Sequence, residues 1–255
     1  MARSINRCLS VLLCLPLVGT LLLTTGAATA KPTMLVAADN APPYHSYDDN
    51  GQARGLLVEF AQEWAADFSP RFVQCPWARC LKLVASGEAD VLLWITRTEE
   101  REVDFVFLDP PISYEDITLT LVLKANSPDI TSPEDFDGKV IGMLRGASFS
   151  LPILADIPPE NLIRAVSDEQ LLQWLLADKV DAIVSAQQVF EHMHKGVIDA
   201  QKLYYASYQI TGNEPSYIAI SRHSPLLQYR ELLESRIQKL RGKWQQKLLT
   251  APTAP

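Results

Sequence analysis

One pattern occurs twice in this chain: Leu81-Lys-Leu-Val-Ala-Ser-Gly87-Glu-Ala-Asp90-Val-Leu-Leu-Trp94, and again Leu172-Gln-Trp-Leu-Leu-Ala-Asp178-Lys-Val-Asp181-Ala-Ile-Val-Ser185. Each copy reads as the end of an amphipathic helix, a break, an Asp and then an apolar strand. Two copies of one α/β unit predict two lobes, and two lobes predict a cleft. Past the first copy the strand runs into Thr96-Arg-Thr-Glu-Glu-Arg101. Hydroxyls and a guanidinium at the carboxyl end of a strand, where open α/β sheets bind ligands, suit an anionic group.

The amino terminus stands apart from these lobes. Arg3 and Arg7 precede an apolar run from Leu9 to Leu23 that ends in Ala28-Thr-Ala30. This is the pattern of a secretory signal peptide over residues 1–30, cut after Ala30 and directing the product to the periplasm. Cys14 is not expected to carry a lipid anchor, because Leu13 precedes it and the apolar run continues. No later stretch is apolar for long enough to span a bilayer. Cleavage leaves 225 of the 255 residues, enough for two lobes with real cores. Loss of the two arginines takes the formal charge from −7 to −9. That acidity argues against nucleic acid and anionic membranes as partners.

Cys75 and Cys80 are the cysteines that remain, in Cys75-Pro-Trp-Ala-Arg-Cys80. In an oxidising compartment a lone close pair is most simply a disulfide that tightens the turn into a helix. A redox couple and half of a metal site are the alternatives; the gap is not the two residues of a thioredoxin-like motif, and no second ligand pair exists.

The first lobe is expected to hold residues 31–123 and 214–255, and the second residues 124–213. A strand over 33–38 ends at Asp39-Asn-Ala-Pro-Pro-Tyr44, a rigid rim. Helical spacing follows from Leu56 to Asp67, then a strand at 71–74, a helix near 78–86 and a strand at 90–95. This β-α-β-α-β order predicts crossovers and a largely parallel sheet. The stretch 117–123 alternates as a strand leaving the first lobe, with a hinge at Asn126-Ser-Pro128. In the second lobe a strand at 139–144 leads to Gly146-Ala-Ser148 before a helix, with a helix at 168–177 and a strand at 181–185. Asn213 to Ile220 returns to the first lobe, and a basic helix over 226–249 closes it.

Together these fragments resemble solute-binding protein family 3, the periplasmic receptors of polar amino-acid ABC importers. The resemblance rests on their order: Asp39 with Pro43-Tyr44, Gly55-Leu-Leu-Val-Glu59, Gly87-Glu-Ala-Asp90, Thr98-Glu-Glu-Arg101-Glu-Val-Asp104-Phe, Pro110-Pro111, Gly138-Lys-Val-Ile-Gly142, Asp178-Lys-Val-Asp181-Ala and Tyr217-Ile-Ala-Ile220. The Cys75-Pro-Trp-Ala-Arg-Cys80 run resembles a Gram-negative branch of that family. It implies a two-lobed α/β periplasmic-binding-protein fold of type II that closes about a hinge on a small polar organic ligand. It implies a receptor that hands its ligand to an inner-membrane ABC permease; the protein is expected to be a monomer, and with no phosphate-cradling loop or Gly-rich fingerprint in the sequence no cofactor is expected. By the same resemblance Arg101 clamps the ligand carboxylate, helped by Thr96 and, from the other lobe, by Ser148. Trp77 stands at a side-chain pocket, and Asp39 and Tyr44 in the region that reads the ligand's distal group. One position departs from the pattern: many members bind the ligand's ammonium with an Asp five residues past the second repeat's Asp, where this chain has Ala186. Asp39, Glu214 or a backbone carbonyl would have to substitute, or the ligand lacks an amino group.

The residues support these roles on their own terms. Arginine's planar fork fits a carboxylate with two parallel hydrogen bonds, and a helix start at Gly146–Ser148 offers N–H groups to the same anion. The plainer readings are a solvated Arg101 paired with Glu99, Glu100 or Asp104, core roles for Trp77 and Trp94, and a helix cap at Ser148. His45 lies near the rim as a minor contact candidate. His192 and His194 fall two apart on a helix, so no metal site is expected. A receptor without catalytic residues is the leading expectation. The rivals are an enzyme on the same scaffold, resembling cyclohexadienyl dehydratase, with Asp39 or Glu214 as acid or base, and a stand-alone sensory module.

Overall fold

The computed structural model describes residues 30–113, 119–148, 154, 157–208 and 215–250. The expected leader, except Ala30, lies outside the described residues, as do Glu214 and the helix expected after Ser148.

The chain begins with β1 (Thr33–Ala38), a hairpin of β2 (Ser46–Tyr47) and β3 (Ala53–Arg54), α1 (Leu56–Trp64), β4 (Ser69–Gln74), α2 (Trp77–Ala85), β5 (Val91–Thr96), the short α3 (Glu99–Glu102) and β6 (Phe105–Ser113). It continues with β7 (Leu119–Lys124), β8 (Ile141–Leu144), β9 (Leu162–Ala165), α4 (Asp168–Leu176), β10 (Ala182–Ala186), α5 (Gln187–Asp199), β11 (Leu203–Tyr205), β12 (Ser216–Ser221) and α6 (Arg230–Leu249). Two five-stranded sheets result, ordered β4-β1-β5-β12-β6 and β11-β7-β10-β8-β9. In the first, β4, β1 and β5 run parallel while β12 is antiparallel to both β5 and β6. In the second, β10, β8 and β9 run parallel and β7 is antiparallel to β10.

Each sheet is buried on both faces, which explains the near-continuous apolar runs in its central strands. On one side of the first sheet Phe60 and Trp64 of α1 pack with Ile237 and Trp244 of α6, and on the other Cys80 and Val84 of α2 pack against Leu92 and Phe107. The second sheet has the same two-sided core, with Leu171 and Leu175 of α4 and Phe190 of α5 on one face.

The repeated Asp has one structural task in both lobes. The Asp90 N–H donates to the Leu35 carbonyl at 2.8 Å, and Asp90 Oδ2 accepts from the Leu35 N–H at 2.8 Å. Asp181 does the same with Val140, its Oδ2 accepting from the Val140 N–H at 2.7 Å. Each carboxylate, one residue ahead of β5 or β10, thus ties the start of that strand to the backbone of the neighbouring one, after a helix that stops at a left-handed residue, Gly87 (φ 81°) or Asp178 (φ 56°). Such residues end helices because the left-handed conformation satisfies the last carbonyls.

The lobe boundary differs from the expected one. β7 pairs with β10 through five registered residues and is buried along most of its length, so it is a central strand of the second lobe. The first sheet's β6 ends at Ser113 and the second sheet's β7 opens at Leu119, upstream of the boundary expected at 123. Asn126-Ser-Pro128, read as a hinge, is a turn after β7 within the second lobe, with Asn126 at φ 67° and the Ser127 N–H bonded to the Lys124 carbonyl. β6 contains Pro110-Pro111 where its pairing with β12 shifts register, between Leu108 and Ser113; an edge strand tolerates prolines at such an irregularity.

Candidate functional site

A cavity of about 170 Å³ lies between the two lobes. Its walls come from the carboxyl ends of strands in both sheets: Asp39 after β1, Trp94 and Thr96 at the end of β5, Ser185 at the end of β10 and Asp168 after β9. This is where strand dipoles and loop N–H groups are free to meet a ligand.

The rim containing Asp39 and Tyr44 is fixed by the helix that follows it. The first N–H groups of α1 have no partner within the helix; those of Leu56 and Leu57 donate to the carbonyls of Pro43 and Tyr44 at 3.1 and 2.8 Å. Gly55 sits at φ 119° where an added Cβ would lie 2.4 Å from the Tyr44 oxygen, so only glycine permits this approach. Tyr44 is 3% exposed and stacks on Trp94 with ring centroids 5.5 Å apart. His45 Nδ1 donates to the Asp39 carbonyl oxygen at 2.8 Å and lies 3.5 Å from Oδ1 of the same residue. Burial pushes the Asp39 carboxyl above its usual range, and the His45 charge opposes that shift.

Consecutive residues of β5, Leu93 to Thr96, all line the cavity. A regular strand cannot do this, because its side chains alternate. The pairing with β12 shifts register between Tyr217 and Ala219, opposite this stretch, and Trp94 takes φ 56°. The bulge re-aims the end of β5 into the cleft.

Arg101 is turned inward and is 9% exposed. Thr98 caps its short helix, the Thr98 hydroxyl accepting from the Arg101 N–H at 3.3 Å. The guanidinium Nη1 donates to the Thr96 carbonyl at 2.8 Å, and Nη2 reaches across to the Gly146 carbonyl of the second lobe at 2.9 Å. The surface ion pairs of this loop are made by Arg97, with Glu102 and Asp109. Trp77 Nε1 donates to the same Gly146 oxygen at 3.0 Å. Gly146 (φ 83°) is thus the point where the lobes touch; a Cβ there would meet Leu81 Cδ1 at 2.9 Å and the Ala78 Cα at 3.3 Å. Cys75 and Cys80 form a disulfide that brackets Trp77.

All six residues singled out in the sequence, Arg101, Thr96, Ser148, Trp77, Asp39 and Tyr44, line this one cavity, as do His45 and Trp94. Ala186 also lines it, so the cavity has no carboxylate at that point. Asp168, which drew no attention in the sequence, does supply one. It begins α4 just after the Ser167 cap, and Ser185 Oγ donates to its Oδ1 at 3.4 Å. Burial pushes the Asp168 carboxyl up to about 7, and the charges of Asp39 and Glu169 act in the same direction. Asp39 and Asp168 also face a neighbouring space of about 300 Å³ that continues past Trp77. Among the described residues no group of three or more His, Cys, Asp or Glu side chains is arranged to hold a metal ion.

Two lobes closing on a shared cavity, with an inward arginine at the end of a bulged strand, define a two-lobed ligand-binding protein. The chain belongs to the bacterial extracellular solute-binding proteins, family 3, which it matches from residue 34 to residue 245. It is 27% identical over 158 residues to the L-cystine-binding protein TcyJ of Escherichia coli strain K12, covering 60% of this chain and 59% of that protein. Among solved structures it superposes on a histidine kinase sensor domain with similarity to periplasmic binding proteins (TM-score 0.72, 20% identity, 88% of this chain and 98% of the other). It also superposes on an ancestral arginine-binding protein bound to glutamine (TM-score 0.71, 22% identity, 86% and 98%). No helix among the described residues is long and apolar enough to cross a membrane.

Proposed function

We propose that this protein is a periplasmic receptor, exported by the leader at 1–30, that captures a small polar ligand bearing a carboxylate and passes it to an inner-membrane ABC importer. The observation that carries this reading is the position of Arg101: buried, inside the interlobe cavity, and bonded to carbonyls of both lobes. A guanidinium in that place meets a carboxylate with charge-assisted hydrogen bonds in a site from which closure removes water. Thr96 and Ser148 bring hydroxyls from the two lobes, and Trp77 and Tyr44 give apolar wall. The cystine-binding relative and the amino-acid-bound neighbour favour an amino acid or a close analogue as the ligand.

Purified protein without its leader should retain or bind such a ligand with one-to-one stoichiometry by calorimetry and leave it unchanged. Arg101→Ala should lose carboxylate binding by about 100-fold or more; wild-type affinity in that variant would refute the site. An enzymatic reading has one specific point in its favour, because a cleft carboxyl near pH 7 suits a general acid or base. Consumption of prephenate with appearance of product would favour that reading over the receptor.

A further inference from the structure

The polar groups of the cavity are unevenly matched. Arg101 is the anion-binding end, and the opposite requirement is set by two acids that come from different lobes. Asp39 follows β1 in the first lobe and Asp168 begins α4 in the second; both line the interlobe cavity and its extension past Trp77. Closure brings like charges together in a poorly hydrated space, which is unfavourable unless something neutralises them. The charged neighbours on the surrounding elements are His45 beside Asp39 and Glu169 beside Asp168. Asp168 has no cationic partner among the described residues; the Ser185 hydroxyl and the Asp168 backbone N–H donate to its carboxylate.

Two more polar groups of the same cavity wait for a partner. Trp94 Nε1 is fully buried and has no hydrogen bond. The Tyr44 hydroxyl belongs to a side chain 3% exposed, burial pushes its ionisation up to about 12, and it has no hydrogen bond among the described residues. Buried polar groups are seldom left unpaired; the indole N–H, a donor only, calls for an acceptor such as the ligand's carboxylate or a water, whereas the Tyr44 oxygen can accept from an ammonium. The rings that carry these groups stack on each other, and Trp77 forms another wall. Aromatic faces favour a cation over an anion.

We propose that Asp39 and Asp168 form a cation subsite that takes the ammonium group of the ligand, with Asp168 replacing the carboxylate absent at Ala186. The receptor then selects molecules carrying both an ammonium and a carboxylate, and rejects simple organic acids. This rests on the reading of Arg101 as the carboxylate anchor.

The test uses the whole chain without its leader, at pH 8, with matched probes. Twenty amino acids and L-cystine are screened by calorimetry, each binder against its desamino acid and its decarboxylated amine; for L-cystine these are 3,3′-dithiodipropionate and cystamine. At least one amino acid should bind, and its desamino acid should bind about 100-fold more weakly. Asp168→Asn should weaken the amino acid by about tenfold or more and leave the desamino acid unchanged or tighter, a reversal that general damage to the fold would not produce. A desamino acid binding as tightly as its amino acid, or an Asp168→Asn variant that binds the amino acid normally, would overturn the cation subsite. If an organic acid binds tightly and Arg101→Ala abolishes it, the subsite falls while the carboxylate receptor stands. If no probe of either class binds, both fall.

Discussion

The two lobes repeat one structural device and diverge in what they present to the cleft. Asp90 and Asp181 pin the start of β5 and of β10 to the adjacent strand with almost the same bond, 2.8 and 2.7 Å. Beyond that common start, β5 bulges and leads to Thr96 and the inward Arg101, whereas β10 ends at Ser185 and Ala186. The first lobe thus carries the cation of the cleft, and the second answers with Asp168 from a different strand end. Duplicated architecture sets up the cleft; its polarity comes from the segments that follow the strands.

The largest effect that separates the lobes concerns Asp168 without ligand. Its carboxyl sits near 7 in the folded protein against 3.8 ordinarily, so the folded state holds a proton that the unfolded state has released between those values. Stability from this group is therefore lost as pH rises through that window, by up to about 4 kcal/mol. The ligand-free wild type should lose more melting temperature between pH 5 and pH 8 than Asp168→Asn does, by roughly 5 °C or more. Equal losses would mean that Asp168 is well solvated in the open protein.

The repeated pins differ next. Asp90 also accepts from Ser224 Oγ at 2.5 Å and is partly buried, while Asp181 is exposed. Denaturant unfolding should show Asp90→Ala costing about 2–3 kcal/mol and Asp181→Ala about 1 kcal/mol. The reverse order would break the asymmetry assigned to them.

A smaller effect is expected where the lobes meet. Gly146→Ala places a Cβ 2.9 Å from Leu81 Cδ1 and 3.3 Å from the Ala78 Cα of the first lobe, against the contact between the lobes, and sets it at a strained φ of 83°. Ligand affinity by calorimetry should fall by about tenfold, and unchanged affinity would show that the lobes do not press together at this point.

Much of this was legible in the sequence, because local patterns carried it. The repeat could be read from its helix-break-Asp-strand order, and Arg101 from Thr96 and Thr98 beside it, since a capped turn after a strand needs only neighbouring residues. Asp168 was hidden for the opposite reason. An acid in the first turn of a helix is ordinary, favoured by the helix dipole alone, and its meeting with Asp39 is made by the packing of two lobes. The available signal was the carboxyl end of β9, a four-residue strand too short to stand out. The left-handed turn of Trp94 lies within an apolar run that reads as regular strand, and β7 alternates like an exit strand although its partners are all in the second lobe.

The central claim is that one ligand spans the cleft from Arg101 to the two acids. A crystal structure of the complex with the tightest amino-acid probe tests it most directly. The account predicts the ligand carboxylate at hydrogen-bonding distance from the Arg101 guanidinium and its ammonium nitrogen between Asp39 and Asp168. A ligand in the reverse orientation, or one that leaves Asp168 without a contact, would contradict it.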